Sequence, residues 1–177
     1  MSLWSTLGFE SIRDAPPEGG SDAVARIASA LQRLPPERAR YLAGFAYLLG
    51  RVAHADQHLS PEETRAMRRL VSEHGDLDAG EVELAVEMAQ EQARLFGATE
   101  NFVVARELQG SISRDQKLAL IDCLFAVGAA DETISTLEDN EIRRISSELR
   151  LTHGDFISVR RKYRDQLGVL KAKPGAR

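Results

Sequence analysis

Apolar residues recur along the chain at three- and four-residue spacing between capping and breaking residues, a pattern that predicts helices throughout. Ala23, Ile27, Ala30, Leu31 and Leu34 mark a first helix that stops at Pro35-Pro36, where the rings restrict the preceding residue and remove amide donors. A second runs through Tyr41, Leu42, Phe45, Leu48, Leu49 and Val52 to a break near Asp56. Ser60, Pro61 and Glu63 then supply an N-cap, a first-turn proline and a capping-box acid for a third helix carrying Met67, Leu70, Val71 and His74, which Gly75 ends. Asp78 and Glu81 open a fourth, Thr99-Glu100-Asn101 a short fifth, and Ser113 to Gln116 a sixth with Leu118, Ile121, Leu124, Phe125 and Val127. Ser135 and Glu138 cap a seventh, and Thr152 with Asp155 opens an eighth, expected to continue through Phe156, Val159, Tyr163 and Leu167. No run alternates apolar and polar residues between turns, so no strand is expected. Short connections lead to an all-α bundle of about eight helices, sequential ones packed as antiparallel neighbours.

The pattern repeats. Asp56 and Asp131 are 75 positions apart, and the same offset pairs Leu49 with Leu124, Val52 with Val127, Leu59 with Ile134, Ser60 with Ser135, Glu63 with Glu138 and Met67 with Ile142. Farther on, Leu77, Gly80 and Val82 match Leu151, Gly154 and Phe156 at an offset of 74, so one turn is a residue shorter. Two related helical halves, a product of internal duplication, are therefore expected, at about residues 38–96 and 113–167. Asp14 to Ser21 collects structure-breaking residues, which divides the chain into an N-terminal arm and linker (1–20), a helical domain (21–170) and a basic tail (171–177).

Composition narrows the class. With 43% hydrophobic, 28% charged and 6% aromatic residues, the core falls to Leu, Ala, Val and Ile, as helices prefer. The apolar runs are too short for a bilayer, which needs about 20 residues. Cys123 is the lone cysteine, so no intramolecular disulfide forms and a cytoplasmic setting is expected. A net charge of −4 argues against nucleic acid as a partner.

The repeated aspartates invite three readings. Each Asp can organise its own turn by accepting amides two or three residues on, with Ser60 and Ser135 as structural caps. Alternatively, Asp56 to Glu63 resembles the back half of an EF-hand loop, acidic at the fifth position, apolar at the eighth and Glu at the twelfth. The front half is absent: positions one and three fall on Val52 and His54 or on Val127 and Ala129, and the sixth is Gln57 or Glu132 in place of glycine. A divalent cation bridging Asp56, Glu63, Asp131 and Glu138 would require both turns to converge about a pseudo-twofold axis. A zinc version built on His54, Asp56 and His58 has no counterpart in the second half, where Ala129 and Thr133 stand.

An apolar helix ending in Ala-Asp, followed by an apolar residue, Ser and Glu, and duplicated in an acidic helical chain, resembles the TerB-like (tellurite resistance) family. Tyr41 to Leu49, Thr99 to Phe102 and Asp122 to Asp131 carry the likeness, which spans about Ser21 to Leu170 and points to stand-alone bacterial members without assigned activity. The resemblance implies two related helical halves, an intracellular setting, a role in stress responses or as a module attached to other machinery, and metal binding at Asp56, Glu63, Asp131 and Glu138.

Charge separates the halves. From Ser72 to Gln92 the chain carries Glu73, Asp76, Asp78, Glu81, Glu83, Glu87 and Glu91 without a Lys or Arg, whereas the equivalent later stretch carries Arg160, Arg161, Lys162 and Arg164. Such opposed faces suit a protein partner or self-association. The basic tail leaves peripheral contact with an anionic membrane open, short of the usual cluster of four to eight bases. There is no phosphate-binding glycine loop, no His-Glu-x-x-His and no Cys-x-x-Cys. A non-enzymatic interaction or stress-response module is thus expected first, a divalent-metal binder second and a hydrolase-like enzyme a distant third.

Overall fold

Eight α-helices and one 3-10 helix follow one another in the described residues of this computed structural model, 22–53, 61–91, 101–130 and 132–168. They are α1 (Asp22–Gln32), α2 (Pro36–Ala53), α3 (Pro61–His74), α4 (Ala79–Gln90), α5 (Asn101–Ser111), α6 (Arg114–Gly128), α7 (Thr136–Glu148), α8 (His153–Arg160) and η1 (Arg161–Gln166). The arm and linker, residues 1–20, and the tail, 171–177, lie outside the described residues.

Local sequence sets most of the helix starts. Asp78 with Glu81, Ser113 with Gln116, Ser135 with Glu138 and Thr152 with Asp155 each form a reciprocal capping box at the start of α4, α6, α7 and α8. Two of these, Asp78/Glu81 and Thr152/Asp155, are equivalent at the 74-residue offset. Pro36 occupies the first position of α2, where a missing amide costs nothing.

Helices α2 and α6 form the centre. Tyr41 to Val52 is buried without interruption along α2, and α6 buries Leu120, Ile121 and Cys123 to Gly128. Phe45 of α2 and Phe125 of α6 are both fully buried, and burying a side chain of that size contributes about 1.5–3 kcal/mol. Gly44 permits the crossing of α2 and α5: a Cβ there would come within 3.1 Å of the Leu108 side chain.

Packing between the halves is reciprocal. Helix α3 packs on α6 and its equivalent α7 packs on α2, while α2 and α6 meet each other, as a pseudo-twofold axis between the two central helices would require. Sequential helices are therefore not always neighbours. Helix α3 packs chiefly on α6 and α4 rather than on α2, because α2 is already covered by α4, α5, α6 and α7.

The eighth helix ends earlier than its apolar spacing suggests. After Arg160 the chain tightens into η1, with Tyr163 at φ −106° and ψ 17°. The tightening lets Tyr163 turn inward onto Phe125, with ring centroids 5.4 Å apart and planes 16° from parallel. Among the described residues the sole extended pairing is an isolated parallel bridge between Ile134 and Leu167.

Candidate functional site

The acidic turn of the second half is tied to the end of the fold. Ile134 donates its amide to the Gln166 carbonyl at 2.8 Å and accepts the Gly168 amide at 2.9 Å. Glu132, just before, holds a left-handed backbone at φ 69°. Ser135 then caps α7, its hydroxyl accepting the Glu138 amide at 3.1 Å while Glu138 Oε2 accepts the Ser135 amide at 2.8 Å. A Cβ built on Gly128 would lie 3.6 Å from Glu138 Oε1, which places that carboxylate beside the end of α6.

The other members of the proposed metal set cannot be placed beside it. Asp56, Ser60 and Asp131 lie outside the described residues, as do His54 and His58 of the zinc reading, and Glu63 falls in the first turn of α3 with its side chain outside them. Among the described residues no three His, Cys, Asp or Glu side chains gather as a metal site.

What the structure does assemble is a set of ion pairs between distant segments. Arg38 in α2 binds the capping acid Glu81, and Arg114 in α6 binds its equivalent Asp155. The Arg38 guanidinium, helped by the Asp78 amide, holds the Glu81 carboxyl below its usual range against the effect of burial. Asp155 is lowered likewise, first by the Thr152 hydroxyl and amide and then by Arg114. Arg160 forks onto Asp139, both bonds 2.7 Å long. Thr64, which matches Asp139 at the 75-residue offset, accepts instead from Gln90 at 3.0 Å.

Arg51 ties the first half to the second. Its side chain, 3% exposed, meets Glu141 at 2.5 Å and Glu148 at 2.7 Å, joining α2 to α7. Burial opposes the charge, but the two carboxylates outweigh it and hold the guanidinium pKa above its ordinary value. Asp122 of α6 collects three side chains from two elements, α3 and η1: His74 Nδ1 lies 3.0 Å from Oδ2, Lys162 donates to Oδ1 at 2.9 Å, and the Tyr163 hydroxyl donates to the backbone carbonyl at 3.0 Å.

Sequence patterning left Arg51, Asp122, Arg38, Arg114 and Asp139 without a role. A charged residue set in an otherwise apolar helical run was the available signal for Arg51 and Asp122. Cys123 sits fully buried beside Asp122, and burial pushes its thiol up to about 12, which withholds the thiolate that nucleophilic chemistry needs.

The charge contrast between halves persists in altered form. On the acidic side, Glu81, Glu83 and Glu87 are engaged by Arg38, Arg68 and Arg26. On the basic side, Arg160 and Lys162 are engaged by Asp139 and Asp122. Arg161 and Arg164 are exposed and make no ion pair with a described residue. With Ile157, Arg160 and Leu167 they line a groove of about 250 Å³.

Fold and surface together define a class: an all-helical, internally duplicated module in which buried Arg51, Glu81, Asp139 and Asp155 pair between helices. The chain belongs to the tellurite resistance protein TerB family, whose sequence profile matches residues 42–161. No curated protein and no solved structure matches it. No helix among the described residues is long and apolar enough to cross a membrane.

Proposed function

We propose that this TerB-family chain is a non-enzymatic protein-interaction module of a cytoplasmic stress response, metal or tellurite stress included. One observation carries the reading. The acids of α4 are balanced within the molecule, whereas Arg161 and Arg164 at the equivalent end of the second half are left for something outside it. Affinity purification from the native host after cross-linking, with wild type and an Arg161→Glu, Arg164→Glu variant of unchanged melting temperature, tests this. Proteins enriched on the wild type should be lost from the variant; identical sets overturn the reading.

A second reading, divalent-cation binding by the acidic turns, is favoured by one feature. Glu132 stands at the sixth position of the EF-hand-like loop, where such loops place glycine for a sharp turn, and adopts a left-handed φ of 69° all the same. Calcium or manganese should then raise the melting temperature, EDTA should reverse the rise, and Asp131→Asn should abolish it. A flat titration rejects it.

A further inference from the structure

At the end of the second half, η1 is held from behind. Tyr163 stacks on Phe125 and donates its hydroxyl to the Asp122 carbonyl. Lys162 reaches the Asp122 carboxylate at 2.9 Å, and Leu167 is fixed by its bridge to Ile134. Arg161 and Arg164 stand on either side of the kink at Tyr163, both exposed, and both line the same groove. Across the groove Arg160 is already neutralised by Asp139, leaving two unbalanced guanidiniums over an apolar floor of Ile157 and Leu167.

Size and charge narrow the occupant. A volume of about 250 Å³ falls below the roughly 300–1,000 Å³ of pockets that take whole small molecules, and suits a single large side chain entering from one side. Guanidiniums pair with carboxylates as forks, and a rigid backbone beneath them lowers the ordering cost of binding. A membrane surface is a poorer match, because two unpaired bases beside a concavity fall short of the cluster of four to eight that anionic lipid recognition uses.

We propose that this groove binds an acidic peptide segment of a partner protein, which seats one large apolar side chain on Ile157 and Leu167 and presents carboxylates to Arg161 and Arg164. The proposal rests on the interaction-module reading and gives it a recognition chemistry. Selection from a random displayed peptide library against the full chain tests it, followed by titration of the selected peptides. They should be enriched in Asp and Glu around one Leu, Phe or Trp, and binding should weaken with salt. Arg161→Gln and Arg164→Gln, both at exposed unpaired positions, should each weaken binding about tenfold without moving the melting temperature. An Ile157→Ser variant should weaken it as well.

Failure to select any peptide, selection of peptides without acidic enrichment, or equal affinity for the double glutamine variant each overturns the proposal. So does binding to phosphatidylserine vesicles that needs both arginines while no peptide binds. Peptides that bind independently of the groove would overturn it while leaving the module reading intact, which the cross-linking comparison decides separately.

Discussion

Asp76 and Arg150, 74 positions apart, hold the same left-handed backbone, with φ of 52° and 56°. Each follows the second helix of its half. At Arg150 the geometry is a Schellman motif, with the Arg150 amide bonded to the Ser147 carbonyl and the Leu151 amide to the Ser146 carbonyl, each at 3.0 Å. Duplication has thus preserved a backbone conformation while the residue holding it changed from one charge to the other. Gly75 suggests by its type that it is the left-handed residue, yet that conformation belongs to its neighbour. The glycine instead allows close packing, because a Cβ there would lie 2.5 Å from the Val71 carbonyl oxygen and 3.3 Å from the Phe45 ring.

Arg150→Gly should stabilise the protein. A left-handed residue with a Cβ carries about 1–2 kcal/mol of strain, and glycine gives back roughly half of the relief through its unfolded-state entropy. The expected net gain is about 0.5–1 kcal/mol in denaturant unfolding. Arg150→Val should cost at least as much, since branching at Cβ disfavours this region further.

Arg51→Ala should be among the most damaging polar substitutions. It removes the cation shared by Glu141 and Glu148, whose side chains are 23% and 13% exposed, and breaking a buried pair costs about 3 kcal/mol or more. Arg51→Met keeps most of the volume and should cost less; equal losses measured by urea unfolding would show that the missing charge rather than packing governs the site.

The two capping acids give stability an acid limb. Glu81 and Asp155 both have folded-state pKa values below the ordinary carboxylate range, the first chiefly through Arg38 and the second chiefly through Thr152. Their contribution is complete above the unfolded values of about 4 and is lost as pH falls through the folded ones. Wild type should therefore lose melting temperature below about pH 4, whereas Glu81→Gln with Asp155→Asn starts lower at pH 7 and falls less steeply. Parallel acid limbs would exclude these two groups as its source.

Much of this architecture was legible in the chain because it depends on residues three or four apart. Four capping boxes, the proline start of α2 and the apolar faces of the helices follow from local hydrogen bonding and periodicity, and the repeated sequence exposed the duplication. The candidate site was less legible. The four carboxylates proposed for a cation were marked by repetition, but their meeting depends on how two turns face each other, and only Glu138 has a described side chain. Of the basic patch, the sequence supplied four residues of one sign and could not say which were already engaged.

Sequence alone determined that the protein is helical, because periodicity and capping arise within a few residues of chain, and the recurrence of the pattern at an offset of 75 positions exposed its doubling. Tertiary structure decided that Arg51 lies between Glu141 and Glu148, that Asp122 gathers His74, Lys162 and Tyr163, and that α8 gives way to η1 after Arg160. These partners lie tens of residues apart, so their meeting is set by which helix faces cross at the pseudo-twofold axis, a relation that no local pattern encodes.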